Sequence, residues 1–174
     1  AFGAIDPPFS TAAETYNGST WTSVNSGNTA RRSLTGSGSS TAALAYGGYI
    51  EPAYADNAES YDGTSWTEVA DMNQLKGILG GTHSGTNTSA LSMGGYGGPP
   101  GSEKFDTSEH YDGSTWTQMA TMAEARNSPG GGGIATDAFI CGGATPLAPG
   151  SPAYSVTSEF FSAPAIFNKL TEGQ

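Results

Sequence analysis

Glu59-Ser60-Tyr61-Asp62-Gly63-Thr64-Ser65-Trp66-Thr67 is the stretch on which the fold is decided, because the chain says it three times. The earlier copy is Glu14-Thr15-Tyr16-Asn17-Gly18-Ser19-Thr20-Trp21-Thr22, and the later one is Glu109-His110-Tyr111-Asp112-Gly113-Ser114-Thr115-Trp116-Thr117. Each places an Asx-Gly dipeptide between two short runs rich in Tyr, Thr and Trp. Such dipeptides adopt the positive φ angles of a tight hairpin turn, so each copy is read as a hairpin ending near its Trp.

Working outward, a basic residue stands ten positions after each Trp, at Arg31, Lys76 and Arg126. A glycine pair follows at Gly47-Gly48, Gly94-Gly95 and Gly142-Gly143, and a fourth copy opens at Glu159-Phe160-Phe161. The tryptophans are 45 and then 50 residues apart, within the range of propeller blades and related arrays. Before each glycine pair lies an apolar run read as a buried strand: Ala42 to Tyr46, Ser89 to Met93, and Asp137 to Cys141. A further strand is expected around Ser33 to Gly36, Ile78 to Gly81 and Ser128 to Ile134. The expectation is about four antiparallel strands per copy, in an all-β chain.

Length varies mainly between the glycine pair and the next Glu, where Pro52, Pro99, Pro100, Pro146, Pro149 and Pro152 fall. Proline interrupts a sheet ladder, so this segment is read as a variable loop. The units divide as a partial unit 1–25, units 26–70 and 71–120, a partial unit 121–162 and a C-terminal tail 163–174, all within one domain.

Composition agrees with short strands and many turns. The 174 residues include 26 Gly and 10 Pro, and only 13% are charged, unlike a helical protein with Ala, Leu, Glu and Lys on its exposed faces. Sixteen acidic against six basic residues give a net charge of −10, which disfavours nucleic acid and anionic membrane surfaces. No apolar run approaches the roughly 20 residues of a membrane-spanning helix, so no membrane insertion is expected. A single cysteine, Cys141, excludes an internal disulfide framework.

The order basic residue, apolar strand, Gly-Gly, variable loop, Glu-x-Tyr-Asp and Trp resembles the kelch motif over nearly the whole chain. The resemblance implies propeller-like units with the glycine pair ending the second strand, Tyr on the third and Trp on the fourth. The units then form a propeller or an open repeat array, completed by other subunits or by further sequence of a longer chain. Phrases such as Glu59 to Val69 and Thr41 to Gly48 resemble the low-charge kelch-like repeats of aquatic phage virion proteins, and Leu170 to Gln174 resembles the start of a segment that accompanies them. This implies a virion fibre, tail or decoration protein, or a microbial surface adhesin, in a virion or extracellular setting.

Residues present in every copy are expected to serve the unit: Glu14, Glu59 and Glu109, Tyr16, Tyr61 and Tyr111, Trp21, Trp66 and Trp116, and the glycine pairs. Glu59 and Glu109 are expected to pair with Arg31, Lys76 or Arg126 across strands, which would partly neutralise them and fix register. Their repetition argues against a pair of hydrolytic carboxylates, and that of the Trp set argues for packing between units over sugar stacking. His83, His110 and Cys141 do not make a copper-radical oxidase site, since Cys141 falls where Tyr46 and Met93 fall and is expected to be a buried small residue. Neither Ser37-Gly38-Ser39-Ser40 nor Gly130 to Gly133 has the ending of a phosphate-cradling loop, and both are read as flexible strand connections. Asn17 and Asn87 stand in glycosylation-type triplets.

For ligand contact there remain Tyr49, Tyr54 and Tyr96 in the variable loop, each with a flat ring and a hydroxyl to offer a sugar or protein. No catalytic residue, metal or cofactor is expected. The functional expectation is a non-enzymatic structural or adhesive protein, a homo-oligomer or fibre associating through strand edges near Ala1 to Gly3 or Ser155 to Phe161. The alternative is part of a larger kelch propeller, carbohydrate-active or oxidase-like, with its catalytic residues elsewhere.

Overall fold

The computed structural model describes residues 8–97, 103–146 and 154–162, and the backbone of Ile166–Leu170. Among these residues there is no helix, and the strands form small antiparallel sheets, none closed into a barrel. Three sheets have four strands, paired in chain order. The first joins Thr35–Ser39, Ala42–Tyr46, Ala58–Tyr61 and Trp66–Val69. The second joins Gly80–Gly81, Ala90–Met93, Ser108–Tyr111 and Trp116–Gln118, and the third Gly130–Ile134, Asp137–Cys141, Ser158–Ser162 and Ile166–Leu170. Ahead of them Ala13–Tyr16 pairs with Trp21–Val24, the counterparts of a third and fourth strand.

The tail is therefore not a tail. Ile166–Leu170 completes the last sheet, with Ser158 opposite Leu170 and Ser162 opposite Ile166. The expected free edge at Ser155 to Phe161 is corrected by the same pairing, because Ser158–Ser162 lies between two strands. Ala1 to Gly3 lie outside the described residues.

Each repeated hairpin closes with Tyr opposite Trp, and the rings of Tyr16–Trp21, Tyr61–Trp66 and Tyr111–Trp116 sit 5.1, 5.0 and 5.1 Å apart. The turn is longer than a two-residue one. Asp62 N–H bonds to Ser65 O, and its carboxylate accepts from the N–H groups of Thr64 and Ser65, so only Gly63 takes a positive φ, +93°. Asn17 and Asp112 do the same in their copies. The Asn17 carbonyl is thus occupied by its own turn, and Asn87 Nδ2 bonds to Ser60 Oγ.

The stretch Ser37 to Ser39, read as a connection, belongs to a first strand, and Gly130 to Gly133 lie in the strand expected around Ser128 to Ile134 rather than in a flexible connection. Ser37 pairs with Leu44, and Gly131 with Ile140. Their small residues let neighbouring units close up: a Cβ on Gly81 would lie 2.6 Å from Tyr46 Oη, and one on Gly131 3.1 Å from Gly81 O. Beside these strands, Ser33, Ile78 and Ser128 all adopt φ near +55° (57°, 54° and 53°), a costly region for a β-branched residue such as Ile. Hydrogen bonds running from Ile78 N to Ser33 O and from Ser128 N to Ile78 O stitch the three units together there.

Buried ion pairs set the other end of each unit. Arg31 Nη2 meets Glu59 Oε1 at 2.8 Å, Lys76 Nζ meets Glu109 Oε1 at 3.1 Å, and Arg126 Nη2 meets Glu159 Oε1 at 2.7 Å, with these side chains almost wholly enclosed. The arginines do more than neutralise charge. Arg31 Nη1 donates to Gly47 O and Asn57 O, and Arg126 Nη1 to Gly142 O and Thr157 O, so the glycine corner and the entry to the third strand are held together. Lys76 Nζ meets Glu109 but, among the described residues, reaches neither the glycine corner nor the entry to the third strand. Each glutamate's second oxygen accepts a backbone N–H from the linker entering the unit, Asn28, Asn73 or Ala123. Burial holds the pKa values of Arg31 and Lys76 below their ordinary range, and the facing carboxylate opposes that shift.

Between units the core forms two clusters, one at each seam. Leu44 and Tyr46 of one sheet pack with Ala90, Tyr111 and Trp116 of the next, and Leu91 and Met93 with Ala138, Ile140 and Phe161 of the last. Trp116 is sealed in such a seam: its ring is 5.0 Å from Tyr46 and its Nε1 donates to Ala70 O. Cys141 holds the position of Tyr46 and Met93 but is only half-buried, correcting the expectation, and among the described residues no further four-stranded sheet lies against it.

Candidate functional site

Two positions of the repeat build the site. One immediately follows the glycine pair and is filled by Tyr49, Tyr96 and Ala144; the other precedes the repeated Glu by five residues and is filled by Phe9, Tyr54, Lys104 and Tyr154. The variable segment that joins them is a hairpin rather than an unpaired loop. Tyr49 pairs with Tyr54 and Ile50 with Ala53; Tyr96 pairs with Lys104 and Gly97 with Glu103; Ala144 bridges to Tyr154. The first arm of each hairpin also pairs with the residue entering its own unit, Arg32, Gly77 or Asn127. The prolines do not break this small sheet because Pro52 sits at the turn, while 98–102 and 147–153 lie outside the described residues.

Both glycines are needed at the corner. Gly47 and Gly48 have φ of +64° and +111°, and a Cβ on Gly47 would stand 2.5 Å from Lys76 O of the next unit. That closeness permits the bond from Gly48 N to Lys76 O, repeated from Gly95 N to Arg126 O. Ala55, Phe105 and Ser155 N–H groups then return to Gly48, Gly95 and Gly143 O and close each hairpin base.

The result is a row of side chains crossing the units. Tyr49 and Tyr54 meet edge to face at 5.2 Å, Tyr54 and Tyr96 at 5.6 Å across one seam, and Phe9 and Tyr49 at 6.1 Å across another. Lys104 continues the row by donating to Thr145 O at 2.6 Å. All three tyrosines read from the sequence are brought together, each half-buried. Burial, then the neighbouring Tyr96 and Tyr49, raise the Tyr54 hydroxyl pKa, against the pull of Arg32.

Phe9 and Arg32 were missed by sequence reasoning. The Arg32 guanidinium lies 4.7 Å from the Tyr49 ring centre and 5.5 Å from that of Phe9, a cation stacked against two rings, and no carboxylate pairs with it among the described residues. A signal existed. Arg32 is the second half of a basic doublet that occurs in one copy only, where Gly77 and Asn127 stand in the others.

The remaining candidates do not converge. His110 is on a third strand, whereas His83 lies in the turn after Gly80–Gly81. Among the described residues no group of three or more His, Cys, Asp or Glu could hold a metal ion. A cleft of about 540 Å³ separates the N-terminal strand pair from the first four-stranded sheet, with Tyr16, Trp21, Tyr61, Trp66 and His83 on its walls. Glu14 borders it, while Glu59 and Glu109 are each engaged by a buried cation. The chain matches no protein-family model, and none of the curated proteins matches it.

Proposed function

We propose that this chain is a non-enzymatic, kelch-like repeat protein of a virion or other extracellular assembly, structural in its frame and adhesive along its hairpin row. The observation that carries the adhesive reading is the run Phe9, Tyr49, Tyr54 and Tyr96, four half-buried rings contributed by three units and flanked by one stacked arginine. Rings held edge to face are pre-organised, so little conformational freedom is lost when a ligand lies across them. Their faces suit the apolar side of a sugar ring or a protein surface, and their hydroxyls supply hydrogen bonds. The kelch-like reading is supported by three four-stranded units whose second strands all end in Gly-Gly, two of them with Tyr on the third strand and Trp on the fourth, a pairing that the N-terminal hairpin repeats. The setting rests on the resemblance to phage repeats.

The test is titration of the protein with a panel of oligosaccharides and with extracts of host-type surface polysaccharide, read by tyrosine fluorescence and calorimetry. Tyr54→Ala, the central ring, is expected to weaken any ligand found by tenfold or more, about 1.4 kcal/mol. Binding unchanged in Tyr49→Ala, Tyr54→Ala and Tyr96→Ala alike would remove the row from the function.

A further inference from the structure

The two ends of the described array carry the two halves of an internal seam. In each seam, the second strand of one unit offers two apolar residues to the next, Leu44 with Tyr46 and Leu91 with Met93, all at most 1% exposed. In the 71–120 unit the receiving residues are Tyr111 and Trp116, at 2% and 6%. At the N-terminal end the same receiving positions are Tyr16 and Trp21, stacked on each other yet 48% and 58% exposed. At the C-terminal end the offering positions are Phe139 and Cys141. Phe139 is 40% exposed and is flanked on the third strand by Phe160, 6.3 Å away and similarly open.

We infer that these two faces dock onto each other in separate copies of the chain, Tyr16 and Trp21 of one molecule covering Phe139, Cys141 and Phe160 of another. The occupant is a second copy because both halves of the contact belong to one sequence and repeat a packing that the molecule already makes internally. The contact is heterologous: each copy keeps one free face of each kind, so association continues into a ring or filament instead of stopping at a symmetric pair. It is also face to face. That distinguishes it from the strand-edge pairing expected from the sequence, since Ile166–Leu170 caps the third strand of the last sheet. No charged residue is needed at the contact, so association persists at high salt, in keeping with apolar burial.

Sedimentation velocity across a concentration series tests this with two single variants, Trp21→Ser and Phe139→Ser. The wild-type chain is expected to exceed its 17.6 kDa mass as concentration rises, and each variant alone to stay at that mass. Mixing the two variants is expected to give a one-to-one complex and nothing larger, because one intact face of each kind remains. Both side chains are exposed, so thermal unfolding of each diluted variant should match the wild type; Trp21→Glu and Phe160→Glu form a second pair should either variant misfold. A wild-type chain that stays monomeric overturns the inference, as does a variant that self-associates like the wild type or a mixture that stays monomeric.

Discussion

Replacing Glu59 with Gln keeps the shape of the side chain and removes its charge, leaving the Arg31 guanidinium enclosed without a counter-ion. Both partners have fully buried side chains, so water cannot step in. Breaking such a pair from one side costs about 3–5 kcal/mol, against a total folding stability of about 5–15 kcal/mol. The amide adds a second fault, because its one oxygen can accept from Asn28 N–H or from Arg31 Nη2 but not from both, and its N–H₂ then faces the other donor. For a chain of this size, a change of about 3–5 kcal/mol lowers Tm by about 6–20 °C. The assay is urea unfolding followed by tryptophan fluorescence, with Arg31→Met and the Arg31→Met/Glu59→Leu double variant completing a cycle. The double variant is expected to recover part of the loss, since the isolated charge is gone. Recovery stays incomplete because Gly47 O and Asn57 O lose their donor, at about 1–3 kcal/mol for each group left unsatisfied. A loss below about 1 kcal/mol for Glu59→Gln would refute the reasoning, because it would mean that solvent reaches the guanidinium after all.

Lys76 is the weak member of the set, so Lys76→Arg, which can reach Gly94 O and Thr107 O as its counterparts reach theirs, is expected to add about 0.5–1.5 kcal/mol, whereas Arg126→Lys should cost about 1.5–3 kcal/mol, both by urea unfolding. Trp116→Ala should cost about 3–5 kcal/mol by emptying a seam. Trp21→Ala in the monomer should stay within about 0.5 kcal/mol, as at any exposed site, and equal losses at the two positions would contradict the seam description. The carboxyls of Asp62 and Asp112 are held below their usual pKa, chiefly by the N–H groups of Ser65 and Thr115 and then by those of Thr64 and Ser114. Their folded pKa is the lower one, so their contribution is present above the unfolded value near ~3.9 and is lost as pH falls through the folded value. An Asp62→Asn/Asp112→Asn variant, which copies the Asn17 turn, should therefore be somewhat less stable than the wild type at pH 7 and lose less stability on acidification, as read by Tm against pH.

Much of this architecture is legible in the sequence because one pattern recurs in register. The Asx-Gly turns, the glycine pairs and the basic-to-acidic spacing all mark places where the backbone or a buried charge permits little else. Four strands per copy follow from them, and so does the pairing of Arg31 with Glu59. Legibility fails where packing, rather than local chemistry, decides. Ser37 to Ser40 look like a linker, yet Thr35–Ser39 is a strand, and in the strand Gly130–Ile134 it is the emptiness of the glycines that an adjacent unit requires. Ile166–Leu170 lacks the Asx-Gly turn and the Trp of the other copies, so the tertiary position of a fourth strand carries it without the signature. In the variable segment, proline obscured a hairpin whose hydrogen bonds come from the residues around it. Tyr49, Tyr54 and Tyr96 could be named because tyrosine in a variable segment is conspicuous. Phe9 and Arg32 join them only through pairings between units, which spacing along one copy does not display.

The closed base of each hairpin has an evolutionary consequence. Ala55, Phe105 and Ser155 return to the glycine corner by the same hydrogen bond although the excursions between corner and return differ in length. Loop closure becomes costlier only slowly with length, at about 0.6 kcal/mol per doubling. The tips can therefore lengthen, shorten or change composition from one copy to the next while the frame beneath them stays in register. A lineage under pressure to recognise a changing surface could revise one tip at a time and keep the same hydrogen-bonded base, and a protein engineer could graft foreign peptides at Glu51-Pro52 on the same grounds.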